Sequence, residues 1–117
     1  MFSIVSWNIQ YGKGVDGIIN LSRIVDVINQ EGLPDVLCLQ EVSRNDPEID
    51  NGNDQVEELR LLLPNYKYFF GQSYDRLGGK KKRKQFGNLI LSAHSPVQVL
   101  YHMLPSPVWL RYVGFLL

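Results

Sequence analysis

The sequence has 117 residues, 44% hydrophobic and 21% charged, and its 12 basic and 12 acidic side chains cancel to zero formal charge. That is the size and make-up of one small globular domain, and the absent net charge excludes capture of nucleic acid or anionic membrane by a global field. Electrostatic recognition has to be local: residues 31–58 are acidic apart from Arg44, whereas "KKKRK" at 80–84 is wholly basic. Cys38 is the single cysteine, so there is no intramolecular disulfide, and its place in an apolar run reads as a small buried hydrophobe. The start, "MFSIVSWNIQ", lacks the charged-then-apolar pattern of a secretion signal. No apolar run approaches the roughly 18 residues of a membrane span, and a cytoplasmic protein is expected.

In chain order, "FSIVSWNI" (2–9) is rich in β-branched and aromatic residues and reads as a strand, and the glycines of "YGKGVDG" that follow mark a loop. Between Asn20 and Glu31, Leu21, Ile24, Val25 and Ile28 fall at helical spacing, and Gly32 and Pro34 supply the stop. "DVLCLQEV" (35–42) is a second strand. Strand, helix and strand in this span form a βαβ unit with a right-handed crossover and parallel strands.

A polar loop spans 43–53. Asp54, with Glu57 three residues on, starts a helix through "VEELRLLL" that Pro64 ends. "YKYFFG" (66–71), "FGNLILS" (86–92) and "VQVLYHM" (97–103) read as further strands, with a glycine-and-lysine loop between the first two. Five strands and two helices leave long sheet edges and only one layer of helix cover. The apolar "VWLRYVGFLL" at 108–117 adds to the expectation that this is the N-terminal part of something larger.

Chemistry centres on Glu41, a carboxylate placed directly after an apolar strand. Burying it unpaired is costly, so it either reaches solvent or neutralises a cation. Ligands of parallel βαβ units bind beyond the carboxyl ends of the strands. Asn8 and Glu41 should therefore share one edge, on neighbouring strands about 4.8 Å apart. That pair suits Mg²⁺, which takes one or two carboxylates and keeps waters and substrate phosphates. Asn8 would orient a phosphate oxygen or hold Glu41 in place. The competing reading pairs Glu41 with Arg44 or a lysine at the rim.

Three motifs, "SWNIQYG" (6–12), "DVLCLQEV" (35–42) and "FGNLILS" (86–92), follow one another in an order and spacing that resembles the endonuclease/exonuclease/phosphatase family, with its DNase I-like fold. The resemblance implies an α/β fold: the N-terminal half of a DNase I-like two-sheet β-sandwich flanked by helices. Residues 1–105 would form it, and 106–117 would be a divergent apolar tail, truncated or frameshifted. It implies a metal-dependent phosphohydrolase acting on nucleic acid or on phospholipid-type phosphate esters. Glu41 would bind Mg²⁺ or Mn²⁺, Asn8 would contact the metal site or the scissile phosphate, and Asn88 would lie at the phosphate's periphery.

The basic run, Lys80, Lys81, Lys82, Arg83 and Lys84, reads first as a solvated loop. Its functional reading is a border of the substrate cleft that attracts phosphate. A nuclear-localisation signal is a third reading. Tyr74 and Phe86 flank the run without interleaving it.

The family's Asp-x-Asn motif, its proton-handling histidine with an aspartate partner and its late Asp-His pair are absent, so this chain is expected to be inactive alone. His94 reads as an exposed turn residue and His102 as half-buried on a strand. Two rivals stand beside this reading. One is a non-catalytic fragment that binds nucleic acid or a partner through Lys80–Lys84. The other is a half of a complemented assembly, self-associating through the apolar tail.

Overall fold

The computed structural model describes residues 1–77, 82–104 and 110–116. The elements in chain order are β1 (Ile4–Asn8), α1 (Leu21–Gln30), β2 (Val36–Arg44), α2 (Gln55–Leu62), β3 (Lys67–Leu77), β4 (Arg83–Ser92), β5 (Gln98–Leu104) and β6 (Leu110–Leu116). A four-stranded mixed sheet has the order β1-β2-β4-β3, and β5 and β6 form a separate two-stranded sheet. β1 and β2 are parallel, as the βαβ reading requires, while β4 runs antiparallel to both β2 and β3. β6 lies against β3 and β4. No helix among the described residues is long and apolar enough to cross a membrane.

Local signals explain both helices. Asn20 caps α1 by accepting the Ser22 N–H at 2.9 Å, and Leu21, Val25 and Ile28 are its buried face. Asp54 caps α2 by accepting from Glu57 N at 3.2 Å, and Val56 and Leu59 are buried. Both helices cover one face of the sheet, where Leu37, Leu39, Val42, Leu89 and Leu91 complete the core. Alternation puts 37 and 39, and 89 and 91, on that same face. The Tyr68 hydroxyl donates to the Leu59 and Leu63 carbonyls at the end of α2, and burial pushes its pKa up to about 12.

Several expectations need correction. A sixth strand, β6, lies in the apolar tail and pairs with β5; residues 105–109 and 117 lie outside the described residues. β2 runs on through Ser43 and Arg44, so the loop starts later than the polar composition suggested. β3 and β4 are longer than their apolar cores because antiparallel pairing carries Arg76 and Leu77 onto Lys84 and Arg83. The basic run is therefore only partly loop. Cys38 is half-buried, since it lies on the sheet face away from the helices. His102 is exposed.

His94 is exposed as expected but engaged, its Nε2 lying 2.8 Å from Asp35 Oδ1. Asp35 Oδ2 also accepts the Ser3 N–H at 2.8 Å and the Ser3 hydroxyl at 3.1 Å, tying the start of β1 to the start of β2.

Two predictions follow from these contacts. A Cβ at Gly87 would sit 2.1 Å from the Gly71 carbonyl oxygen, and both atoms belong to paired backbone. Gly87→Ala should lose about 2–3 kcal/mol in urea unfolding, at the upper end of overpacking costs; a wild-type midpoint would refute the close approach. The second concerns acid. The His94 ring and then the Ser3 N–H hold the Asp35 carboxyl below its ordinary 3.8, so the stability this gives is present above that pH and lost as pH falls through the lowered value. The urea midpoint of Asp35→Asn should therefore fall less than that of wild type between neutral and strongly acid solution.

Candidate metal and phosphate site

The register builds one row of polar residues across the sheet. Asn8, the last residue of β1, pairs with Gln40 on β2. Leu39 pairs with Leu89 and Val42 with Gly87, so Gln40 and Glu41 together oppose the single residue Asn88. Asn88 in turn pairs with Gly71 on β3. This is a β-bulge, a device that re-aims a side chain within a strand. Asn8, Glu41 and Asn88, which the motifs singled out separately, thus lie in one row.

Glu41 is the bulge residue with unusual backbone. Its φ is 59°, in the left-handed region, in the middle of the sheet's central run. For a residue with a Cβ this costs about 1–2 kcal/mol. Such outliers persist where surrounding structure over-determines them, and they concentrate at functional sites. The side chain is half-buried. Among the described residues no ion pair involves it. The competing pairing with Arg44 does not form, because Arg44 grips Asp54 with two bonds of 2.9 and 2.8 Å.

Asn8 is exposed, and its Oδ1 accepts the Gln10 N–H at 3.0 Å. That bond shapes a turn in which Gln10, Tyr11 and Gly12 have φ of 46°, 43° and 79°. A matching turn at Asp50, Asn51 and Gly52 has φ of 51°, 54° and 78°. Gln40, from the same motif as Glu41, donates from Nε2 to Ser6 Oγ at 3.2 Å and to the Cys38 carbonyl at 3.1 Å.

The described part of the basic run, Lys82 to Lys84, is not brought into this row. Lys82 and Arg83 line an open cleft of about 560 Å³ with Arg44, Asn45, Asp54, Glu57 and Gln85, at the far end of β2 beyond the bulge. Arg83 is held by Asp75 at 2.7 Å. Lys84 is half-buried on β4 opposite Arg76. Lys80 and Lys81 lie outside the described residues.

Sequence reading missed Gln55. It is fully buried, accepts the Ser43 N–H at 3.1 Å, and donates to the Tyr11 carbonyl at 2.8 Å and to Asp50 Oδ2 at 3.1 Å. It also missed Asp46, which is 3% exposed and accepts the Tyr74 hydroxyl at 2.9 Å. Burial and that bond push the Tyr74 pKa up to about 12.

The model of the endonuclease/exonuclease/phosphatase family matches residues 5–115. The chain belongs to this family. Among solved structures of the family, an endonuclease/exonuclease/phosphatase from Beutenbergia cavernae DSM 12333 is 30% identical with a TM-score of 0.73, over 89% of this chain and 29% of that one. A family protein from Leptotrichia buccalis C-1013-b is 16% identical with a TM-score of 0.58, over 98% of this chain and 49% of that one. The 3′ phosphatase NExo from Neisseria, bound to product DNA hairpin, is 17% identical with a TM-score of 0.52, over 98% of this chain and 37% of that one.

The last two likenesses show the DNase I-like fold alone. The chain spans less than half the length of each of these three structures. No match was found among curated proteins.

The strain at Glu41 gives a prediction. Replacement by glycine removes about 1–2 kcal/mol of left-handed backbone cost and adds about 0.5–1 kcal/mol of unfolded-chain freedom. Glu41→Gly should therefore be slightly more stable than wild type in urea unfolding, and Glu41→Ala, which keeps its Cβ, should not. A less stable glycine variant would show that the carboxylate supports the fold.

Proposed function

We propose that this chain carries one edge of a divalent-metal phosphoesterase site, with Glu41 as the carboxylate for Mg²⁺ or Mn²⁺. The supporting observation is a half-buried carboxylate that has no ion pair among the described residues, held at φ 59° in the same row as Asn8 and Asn88. Family membership supports the general phosphoesterase class. Among the described residues no three His, Cys, Asp or Glu side chains gather into a cage. One carboxylate in a row with two amide residues still fits a cation that takes one or two carboxylates and fills its remaining positions with waters and phosphate oxygens.

The metal, when bound, would polarise a phosphoryl oxygen and stabilise charge on the leaving oxygen. The chain's own residues have narrower roles. Glu41 anchors negative charge at the strand edge. Asn8 is already committed through Oδ1 to the Gln10 N–H, which leaves its Nδ2 group to donate to a phosphate oxygen. Asn88 flanks the bulge from β4. Proton transfer has no histidine at this row: His94 is held by Asp35 at the opposite end of the sheet, and His102 stands on β5. Phosphate esters of nucleic acids are one substrate class to try first, since the Neisseria relative is a 3′ phosphatase with DNA bound.

The test has two arms on the purified chain. Mn²⁺ titration should show binding that Glu41→Gln weakens by about tenfold or more, as removal of a charged ligand does. Hydrolysis of a chromogenic phosphodiester with Mg²⁺ or Mn²⁺ should stay at the EDTA background. Metal binding indifferent to Glu41 would overturn the site. Turnover lost in Glu41→Ala would keep the site and overturn the reading that the chain lacks a proton acceptor.

A further inference from the structure

Asn8 and Glu41 sit on different strands, and the segments that follow them have to be held at one spacing. After Asn8 comes the left-handed turn Gln10–Gly12, and after Glu41 come Val42 and Ser43. One buried side chain spans both. Gln55, 0% exposed, uses Oε1 to accept from Ser43 N, two residues past Glu41, and Nε2 to donate to the Tyr11 carbonyl, three residues past Asn8. The second Nε2 hydrogen goes to Asp50 in the other left-handed turn. Both donor hydrogens are used, and a single flat amide fixes the separation of the two strand ends.

We propose that Gln55 is a positioning residue for the metal edge: it sets where the Asn8 turn stands relative to the Glu41 bulge. This rests on the reading of Glu41 as a metal ligand, and the experiment separates the two. Gln55→Glu keeps the acceptor for Ser43 N and the side-chain shape, but turns an oxygen toward the Tyr11 carbonyl and the Asp50 carboxylate. Gln55→Met keeps the bulk and removes every bond.

The full chain, ¹⁵N-labelled, is titrated with Mn²⁺ alone in wild-type and Glu41→Gln backgrounds, with amide spectra recorded before metal is added. The expected result is a loss of about tenfold in Mn²⁺ affinity for Gln55→Glu, the usual scale for residues that orient ligands. That loss should disappear in the Glu41→Gln background. The Gln10 and Glu41 amide resonances should shift while those of Leu89 and Leu91 stay in place.

Equal losses in both backgrounds, or no loss, would overturn the proposal. If wild-type binding of Mn²⁺ proves independent of Glu41, the metal reading fails by itself. Gln55 is then judged on the amides, where a shift at Gln10 and Glu41 upholds its positioning role and unmoved resonances reject it. Should Gln55→Glu lose the Leu89 and Leu91 signals, Gln55→Met is read by the same criteria.

Discussion

At the centre of the sheet, β2 is one residue too long for its neighbour, and the surplus falls at Glu41. The left-handed backbone there is unfavourable by about 1–2 kcal/mol, so it exists only because the chain on both sides has no freedom to relax it. Before the bulge, β2 is locked by parallel pairing with β1 as far as Gln40, whose carbonyl accepts the Ile9 N–H at 3.2 Å. After it, Val42 pairs with Gly87 and Ser43 is held by Gln55. A slip of one residue would relieve the strain but would turn Leu37 and Leu39, both fully buried, to the other face. Losing two core leucines costs several kcal/mol, far more than the strain.

The neighbours are shaped to the same feature. Gly87 lies so close to the Gly71 carbonyl that only a hydrogen fits, and Gly71 pairs with the Asn88 that faces the bulge. Aromatic packing continues the link outward. Phe86 stacks on Tyr74 at 5.8 Å with an interplanar angle of 7°, and Tyr11 approaches its ring at 6.4 Å. The Asn8 turn is thus held from below by the Gln55 amide and from the side by a ring on β4. Each neutral hydrogen bond contributes only about 1 kcal/mol net, but an orphaned buried partner costs about 1–3 kcal/mol, so the Gln55 network is stiff because it is fully satisfied.

Much of this was legible in the sequence, for reasons specific to each element. The βαβ unit could be read because its periodicities and caps are local: Asn20 and Asp54 both cap the helices they precede. Asn8 and Glu41 could be placed on one edge because parallel strands share their carboxyl ends. The bulge could not be read, since it depends on the register of β4, paired across some fifty residues. Gln55 was invisible because a polar residue at the first position of a helix is ordinary, and its Tyr11 partner is 44 residues away. Gly12 and Gly52 gave the one hint of the left-handed turns, although the non-glycine residues before them carry most of the unusual backbone.

The Asp35–His94 pair shows why composition alone misleads about mechanism. An aspartate holding a histidine at 2.8 Å has the form of a proton-transfer pair, and the two residues stand just before β2 and just after β4, the strands on either side of the Glu41 bulge. Position decides otherwise. Asp35 precedes β2 and Glu41 stands near its far end, and at about 3.3 Å per residue the two carboxylates are separated by roughly 20 Å. General acid–base transfer needs contact of about 2.6–3.2 Å or one bridging water. The pair therefore clamps the amino ends of β1 and β2, while Gln55 and the Arg44–Asp54 pair hold the ends beyond the bulge. Among the described residues Glu41 has no ion pair, since the nearby Arg44 is committed to Asp54, and that is the electrostatic setting in which a carboxylate can take a cation.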